Sequence, residues 1–122
     1  SLSDITCDTY LLAGESDHIT PWDGCYLTRA GLGGASTFVL SQSGHVQSLI
    51  NPPGNPKARF LTNDGDHATP DAFLATADTH AGSWWPHWHG WLAARAGATI
   101  PAPTGERAAL AAAPGAYVRA AA

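Results

Sequence analysis

Methionine is missing from all 122 residues, and the chain opens Ser1-Leu2-Ser3. A translated protein normally begins with methionine, so the sequence reads as a processed piece or a segment of something longer. Charge is also scarce, because Asp, Glu, Lys and Arg make up 13%, well under the usual share of about a quarter. The six basic residues are scattered at Arg29, Lys57, Arg59, Arg95, Arg107 and Arg119, and the net charge is −4. No basic stripe exists to neutralise phosphates, so no nucleic-acid partner is expected. No apolar run approaches the roughly 18 residues of a membrane span, so no transmembrane segment is expected, and no signal peptide is visible. Two cysteines, Cys7 and Cys25, are too few for a disulfide framework. Neither sits in a Gly-x-Cys-x-Gly turn, so neither looks like a nucleophile on a strand-to-helix elbow. Cys7 reads as the lead-in to a strand and Cys25 as a helix residue facing the core, both reduced.

What is present reads as alternating strands and helices. Thr9-Tyr10-Leu11-Leu12-Ala13 is a short continuous apolar run closed by Gly14, the pattern of a strand buried on both faces of a parallel sheet. After the polar loop Glu15-Ser16-Asp17-His18, Thr20 is the expected N-cap of a helix, with Pro21 at its first position and Asp23 at the capping-box spacing. Trp22, Cys25, Tyr26 and Ala30 recur at helical spacing, and Gly31, Gly33 and Gly34 end the pattern. Thr37–Leu40 reads as a second buried strand. Ser41–Pro56, "SQSGHVQSLINPPGNP", follows as a loop carrying one histidine, His45, and three prolines that exclude regular structure. Ala58–Thr62 reads as a third, edge-like strand. Thr69-Pro70-Asp71 predicts a helix running to about His80, and Ser83 caps another with Pro86 in its first turn. Trp84, Trp88 and Trp91 share one face of that helix, which Gly97 closes. Beyond it the chain is rich in Ala, Pro and Gly and is expected to be a mostly extended tail, pinned by Tyr117-Val118. Residues 1–97 are thus read as one domain portion and 98–122 as the tail. The fold class is α/β, two or three strands of a mostly parallel sheet with flanking helices, and too few strands for a complete doubly wound domain.

In open α/β sheets reactive groups lie on loops beyond the carboxyl ends of the strands. Asp17 follows the first strand and His45 the second. If the strands are parallel, both loops emerge at one edge. Acid before histidine is also the chain order of the last two members of an α/β-hydrolase triad. The alternative for each residue is a helix cap or a hydrogen-bonded loop residue.

"DHITPW" (Asp17 to Trp22), "FVLSQSGHVQSLINPPGNPKA" (Phe38 to Ala58) and "HAGSWWPHWHGWL" (His80 to Leu92) resemble the C-terminal part of polyhydroxyalkanoate synthases, also called poly(3-hydroxyalkanoate) polymerases. The likeness runs from Ile5 to Pro103, and "APGAYV" echoes the family's end. The resemblance implies an α/β-hydrolase core that polymerises (R)-3-hydroxyacyl-CoA thioesters, releases CoA, and carries the growing polyester on a cysteine in a Gly-x-Cys-x-Gly box. By motif match, Asp17 corresponds to the catalytic aspartate and His45 to the catalytic histidine. It implies no cofactor and no metal, a cytoplasmic location at the polyester granule surface, partnership with the rest of the catalytic domain, and scope for a homodimer of the full-length enzyme. The nucleophile box is absent from these residues, so the chain alone is expected to be inactive. A serine α/β-hydrolase, such as an esterase or polymer depolymerase, would share the Asp and His, and a non-catalytic binding piece is the third reading.

Other chemistry-bearing residues have plainer readings. His18 is expected to support Asp17 rather than bind metal. His87 and His89 lie about 200° apart on a helix, so they are expected as surface histidines flanking a core Trp88. Asp64, Asp66 and His67 read as a solvated loop. The tryptophans read as core, with a substrate-channel role open for Trp22, five residues past Asp17. The Asn51–Pro56 turn is expected to form a stiff wall behind His45.

Overall fold

The computed structural model describes residues 1–102 and 112–120; the remainder of the 98–122 tail lies outside the described residues. Four strands form one sheet in the order β1-β2-β3-β4: β1 is Thr9–Gly14, β2 Ser36–Ser41, β3 Arg59–Thr62 and β4 Asp78–Ala81. The helices are α1 (Trp22–Thr28), α2 (Pro70–Ala75), α3 (Trp85–Ala93) and α4 (Ala116–Arg119). The architecture is α/β, but the sheet is mixed rather than mostly parallel. β1 and β2 pair in parallel, whereas β2–β3 and β3–β4 are antiparallel.

Strand alternation explains the continuous apolar runs, because successive side chains point to opposite faces and both faces are covered. On one face Ala13, Phe38, Leu40 and Leu61 pack with Tyr26 of α1 and Phe73 of α2. On the other, Val39 and Phe60 pack with Trp84, joined by Tyr10, Leu12 and Trp85. The first face is aromatic. Phe38 and Phe73 each meet Tyr26 at about 5 Å between ring centroids, and Phe38 and Phe73 meet edge-on at 5.3 Å. Cys25 packs against this cluster as expected, and Cys7 lies exposed ahead of β1.

Several expectations need correction. Ala58–Thr62 gives a strand, but β3 is internal, because β4 pairs along its other side. The helix expected to reach His80 stops at Ala75. The residues that follow, Thr76-Ala77-Asp78-Thr79-His80, are poor helix formers apart from Ala77. β4 is then held by tertiary contacts, with the His80 ring stacked 4.8 Å from Phe60 and its Nε2 2.7 Å from Thr62 Oγ1. α1 ends at Thr28 and Ala30 is exposed. Trp88 and His87 trade roles. Trp88 is 41% exposed, while His87 turns inward to place Nδ1 2.9 Å from the Tyr10 hydroxyl. Tyr117 and Val118 pin nothing, since both are exposed on the short α4.

Candidate active site

The parallel pairing of β1 with β2 brings Gly14 opposite Ser41, so the loops that follow both strands leave the same edge of the sheet. Backbone bonds stitch them together: Glu15 N–H donates to the Ser41 carbonyl at 2.8 Å and Ser16 N–H to the Ser43 carbonyl at 3.2 Å. The loops then press close. A Cβ on Gly14 would lie 2.8 Å from Ser48 Oγ and 3.0 Å from the Ser43 carbonyl oxygen, so only glycine fits there. Ser43 itself, two residues before His45, is held at φ 96°. Such a backbone conformation costs a non-glycine residue about 1–3 kcal/mol and persists only where its surroundings impose it.

The result is a direct contact. His45 Nδ1 lies 2.8 Å from Asp17 Oδ2, with the carboxylate buried to 5% exposure and the imidazole 44% exposed. An ionised carboxylate only accepts, so Nδ1 carries the hydrogen. In the neutral ring the lone pair is then at Nε2, which makes no hydrogen bond to a described residue. The remaining capacity of Asp17 is taken up locally. Its Oδ1 accepts from the backbone N–H of Ile19 at 2.9 Å and of Thr20 at 3.1 Å, and Oδ2 also accepts from the Thr20 hydroxyl at 2.6 Å. These donors hold the Asp17 carboxyl well below the usual carboxylate range. The Thr20 hydroxyl contributes most; the Thr20 N–H, His45 and the Ile19 N–H add to it, and desolvation opposes them. Thr20 therefore turns back to Asp17 and does not cap α1, whose N-cap is Pro21 with no side-chain hydrogen bond.

The His45 loop is held from the other side by the start of α3. Trp84 Nε1–H donates to the Ser48 carbonyl at 2.8 Å, Trp85 Nε1–H to the Leu49 carbonyl at 3.1 Å, and the Ser83 hydroxyl to the Asn51 carbonyl. Ser83 Oγ also accepts from Trp85 N–H at 3.1 Å, so it ties the loop to the first residue of α3, although the N-cap itself is Trp84, with no side-chain cap, and not Ser83 as expected. The two indole donors thus hold the backbone of the His45 loop at Ser48 and Leu49, and no residue of the Asn51–Pro56 turn lines the small cavity beside His45. A cavity of about 90 Å³ beside the pair is lined by Asp17, Thr20, Cys25, His45, Ser48 and Leu49, over the end of β1. A larger polar hollow of about 520 Å³ lies at the opposite ends of these strands, between Arg29, Ser36 and the Asn63–Ala68 loop, and contains neither Asp17 nor His45.

Of the residues singled out from sequence, Asp17 and His45 are brought together. Trp22 is not: it packs among Tyr26, Phe38 and Phe73 at ring distances of 6.3–6.4 Å and does not line the small cavity. His18 is exposed. Asp66 pairs with Arg29 at 2.7 Å, and His67 Nε2 lies 3.0 Å from Asn63 Oδ1. Among the described residues, no three His, Cys, Asp or Glu side chains converge as a metal site, and no helix is long and apolar enough to cross a membrane. The structure adds Thr20, Gly14, Ser48 and Trp84 to the surroundings of the pair. Thr20 alone had a visible signal, since an Asp followed at two and three positions by free N–H groups is an Asx-turn pattern.

No family model matches the chain. Curated relatives do. The chain is 53% identical over 121 residues to poly(3-hydroxyalkanoate) polymerase 1 of Ectopseudomonas oleovorans, covering 96% of this chain and 22% of that relative. It is 42% identical over 123 residues to the poly(3-hydroxyalkanoate) polymerase subunit PhaC of Cupriavidus necator, covering 98% of this chain and 21% of that protein. The corresponding subunit of Rhizobium meliloti is 38% identical over 121 residues, 98% of this chain and 20% of its own length. The chain therefore spans about a fifth of the length of the curated relatives it matches.

Proposed function

From homology to the poly(3-hydroxyalkanoate) polymerases over nearly all of this chain, we propose that it supplies the acid and base of a polyester-forming acyltransferase. The observation that carries the reading is the 2.8 Å Asp17–His45 contact on loops following two parallel strands. This is the arrangement an α/β-hydrolase triad requires, and the α/β-hydrolase fold is part of the proposal.

The chemistry joins this geometry to what the likeness to the polymerases implies. Asp17 fixes the His45 tautomer and steadies the imidazolium, and His45 Nε2 is the base. In acylation, a cysteine thiol supplied by a Gly-x-Cys-x-Gly box, which these 122 residues lack, gives its proton to Nε2. Its sulfur attacks the carbonyl of an (R)-3-hydroxyacyl-CoA, and the departing CoA sulfur takes the proton back. In elongation, a 3-hydroxyl gives its proton to Nε2 and its oxygen attacks the cysteine-bound acyl group. The ester forms, and the cysteine sulfur recovers the proton. No cofactor or metal has a role in either step. Residues 1–97 belong to the catalytic portion and 98–122 to a tail, and the whole enzyme works in the cytoplasm at the surface of the polyester it makes.

The test is CoA release from (R)-3-hydroxyacyl-CoA by the polymerase carrying this segment. His45→Ala is expected to abolish release, and the 122 residues alone are expected to release none. Near-native release by the His45→Ala enzyme would remove His45 from the site.

A further inference from the structure

We infer that Thr20 is a positioning residue that sets how strongly Asp17 engages His45, by donating its hydroxyl to the same carboxylate oxygen that accepts from the imidazole. The inference rests on the proposed Asp17–His45 pair.

Three features of the structure support it. First, Asp17 Oδ2 is shared: Thr20 Oγ1 lies 2.6 Å away and His45 Nδ1 2.8 Å. Two donors on one oxygen compete for its negative charge, and both bonds have the length of a charge-assisted hydrogen bond of their type. Second, the Thr20 hydroxyl is committed to this bond. It does not cap α1, and the helix begins at Trp22 without a side-chain cap. The N-cap position is Pro21, so Thr20 lies one residue ahead of it and its hydroxyl is turned to Asp17 instead. Third, Thr20 lines the small cavity with Asp17, Cys25 and His45, so its hydroxyl lies at the pair. The backbone N–H groups of Ile19 and Thr20 fill the other oxygen, Oδ1. The Thr20 hydroxyl is thus the one side-chain donor besides His45 that reaches the carboxylate among the described residues.

A carboxylate that keeps its full charge holds an imidazolium more tightly. A base that holds its proton more tightly is lost to protonation at a higher pH and releases the proton less readily to the leaving group. Thr20 therefore moderates the pair. Replacing it with valine keeps the shape and removes the donor, whereas serine keeps the donor.

The experiment is the pH dependence of kcat/KM for CoA release by the polymerase carrying this segment, in the native, Thr20→Val, Thr20→Ser and Asp17→Asn forms. Thermal melting confirms that each variant is folded, and Thr20→Ala replaces Thr20→Val should the latter fail to fold. Thr20→Val is expected to move the acid limb of the profile upward by about half a unit to one unit and to lower kcat more than it changes KM. Thr20→Ser is expected to restore the native profile. A valine profile that superposes on the native one, while Asp17→Asn is inactive, overturns the role of Thr20 and leaves the pair standing. Near-native activity of Asp17→Asn overturns both.

Discussion

Asp17→Asn separates geometry from chemistry at this site. Four donors reach the carboxylate: Ile19 N–H and Thr20 N–H at Oδ1, and the Thr20 hydroxyl and His45 Nδ1 at Oδ2. An asparagine oxygen placed at Oδ1 keeps both backbone bonds, so the loop retains its shape. Its amide nitrogen then occupies the Oδ2 position and presents hydrogens where the carboxylate accepted them. The Thr20 hydroxyl adjusts by rotating and accepting. The imidazole cannot rotate away without losing its seat, so its Nδ1 becomes the acceptor and its proton moves to Nε2. In the proposed mechanism the base then faces its substrate with the wrong nitrogen protonated. In the analogous serine-protease substitution the same inversion costs about 10⁴-fold in kcat, and a loss of about that size is expected here with KM little changed. The assay is steady-state CoA release by the polymerase carrying this segment, with unfolding by denaturant as the control for structure. Activity within about tenfold of native, in a variant that melts normally, would refute the tautomer argument. Acid does not mimic the substitution at ordinary pH. The lowered Asp17 value keeps the carboxylate ionised, and the stability it confers is present above the ordinary carboxylate range and lost only as pH falls through that lowered value.

Two further outcomes concern the scaffold. Trp84→Phe keeps the aromatic packing against Tyr10 and Trp88 but strips the donor from the buried Ser48 carbonyl, and should destabilise the protein by about 1–3 kcal/mol in denaturant unfolding; an unchanged midpoint would show that the indole N–H does not hold the loop. His87 is pushed down by burial first and by His80 second, against an opposing pull from Asp64. The unfolded chain therefore takes up a proton there more readily, so stability is full above the ordinary histidine range of about 6.5 and declines as pH falls below it. His87→Gln should flatten that decline in a melting series across this range, and an identical slope in the variant would place the acid sensitivity elsewhere.

Phe38-Val39-Leu40 announced a strand covered on both faces, and all three are buried in β2; Tyr10-Leu11-Leu12-Ala13 announced a strand too, but β1 lies at one edge of the sheet and only Ala13 of these four is fully buried. Thr69-Pro70-Asp71 announced a helix start, and Thr69 does accept from Ala72 N–H. Asp17 and His45 could be named as candidates because each directly follows one of those strands. All of this is local information, carried by a few adjacent residues and the stereochemistry of their own backbone. Tertiary structure alone decided the rest. Asp78–Ala81 has no strand signature of its own and is extended because β3 offers it a free edge and Phe60 offers it a stacking face. Trp88 and His87 exchange inside for outside because Tyr10 supplies a partner from a distant strand. The 2.8 Å separation of Asp17 and His45 is likewise nonlocal. It depends on the register that sets Gly14 beside Ser41, on the space a missing Cβ leaves at Gly14, and on the indoles of Trp84 and Trp85, at the start of α3, that hold the loop at Ser48 and Leu49. A hydrogen bond across 28 residues is fixed by the elements between its ends, whereas the capacity of those two residues to make it was set by their side chains alone.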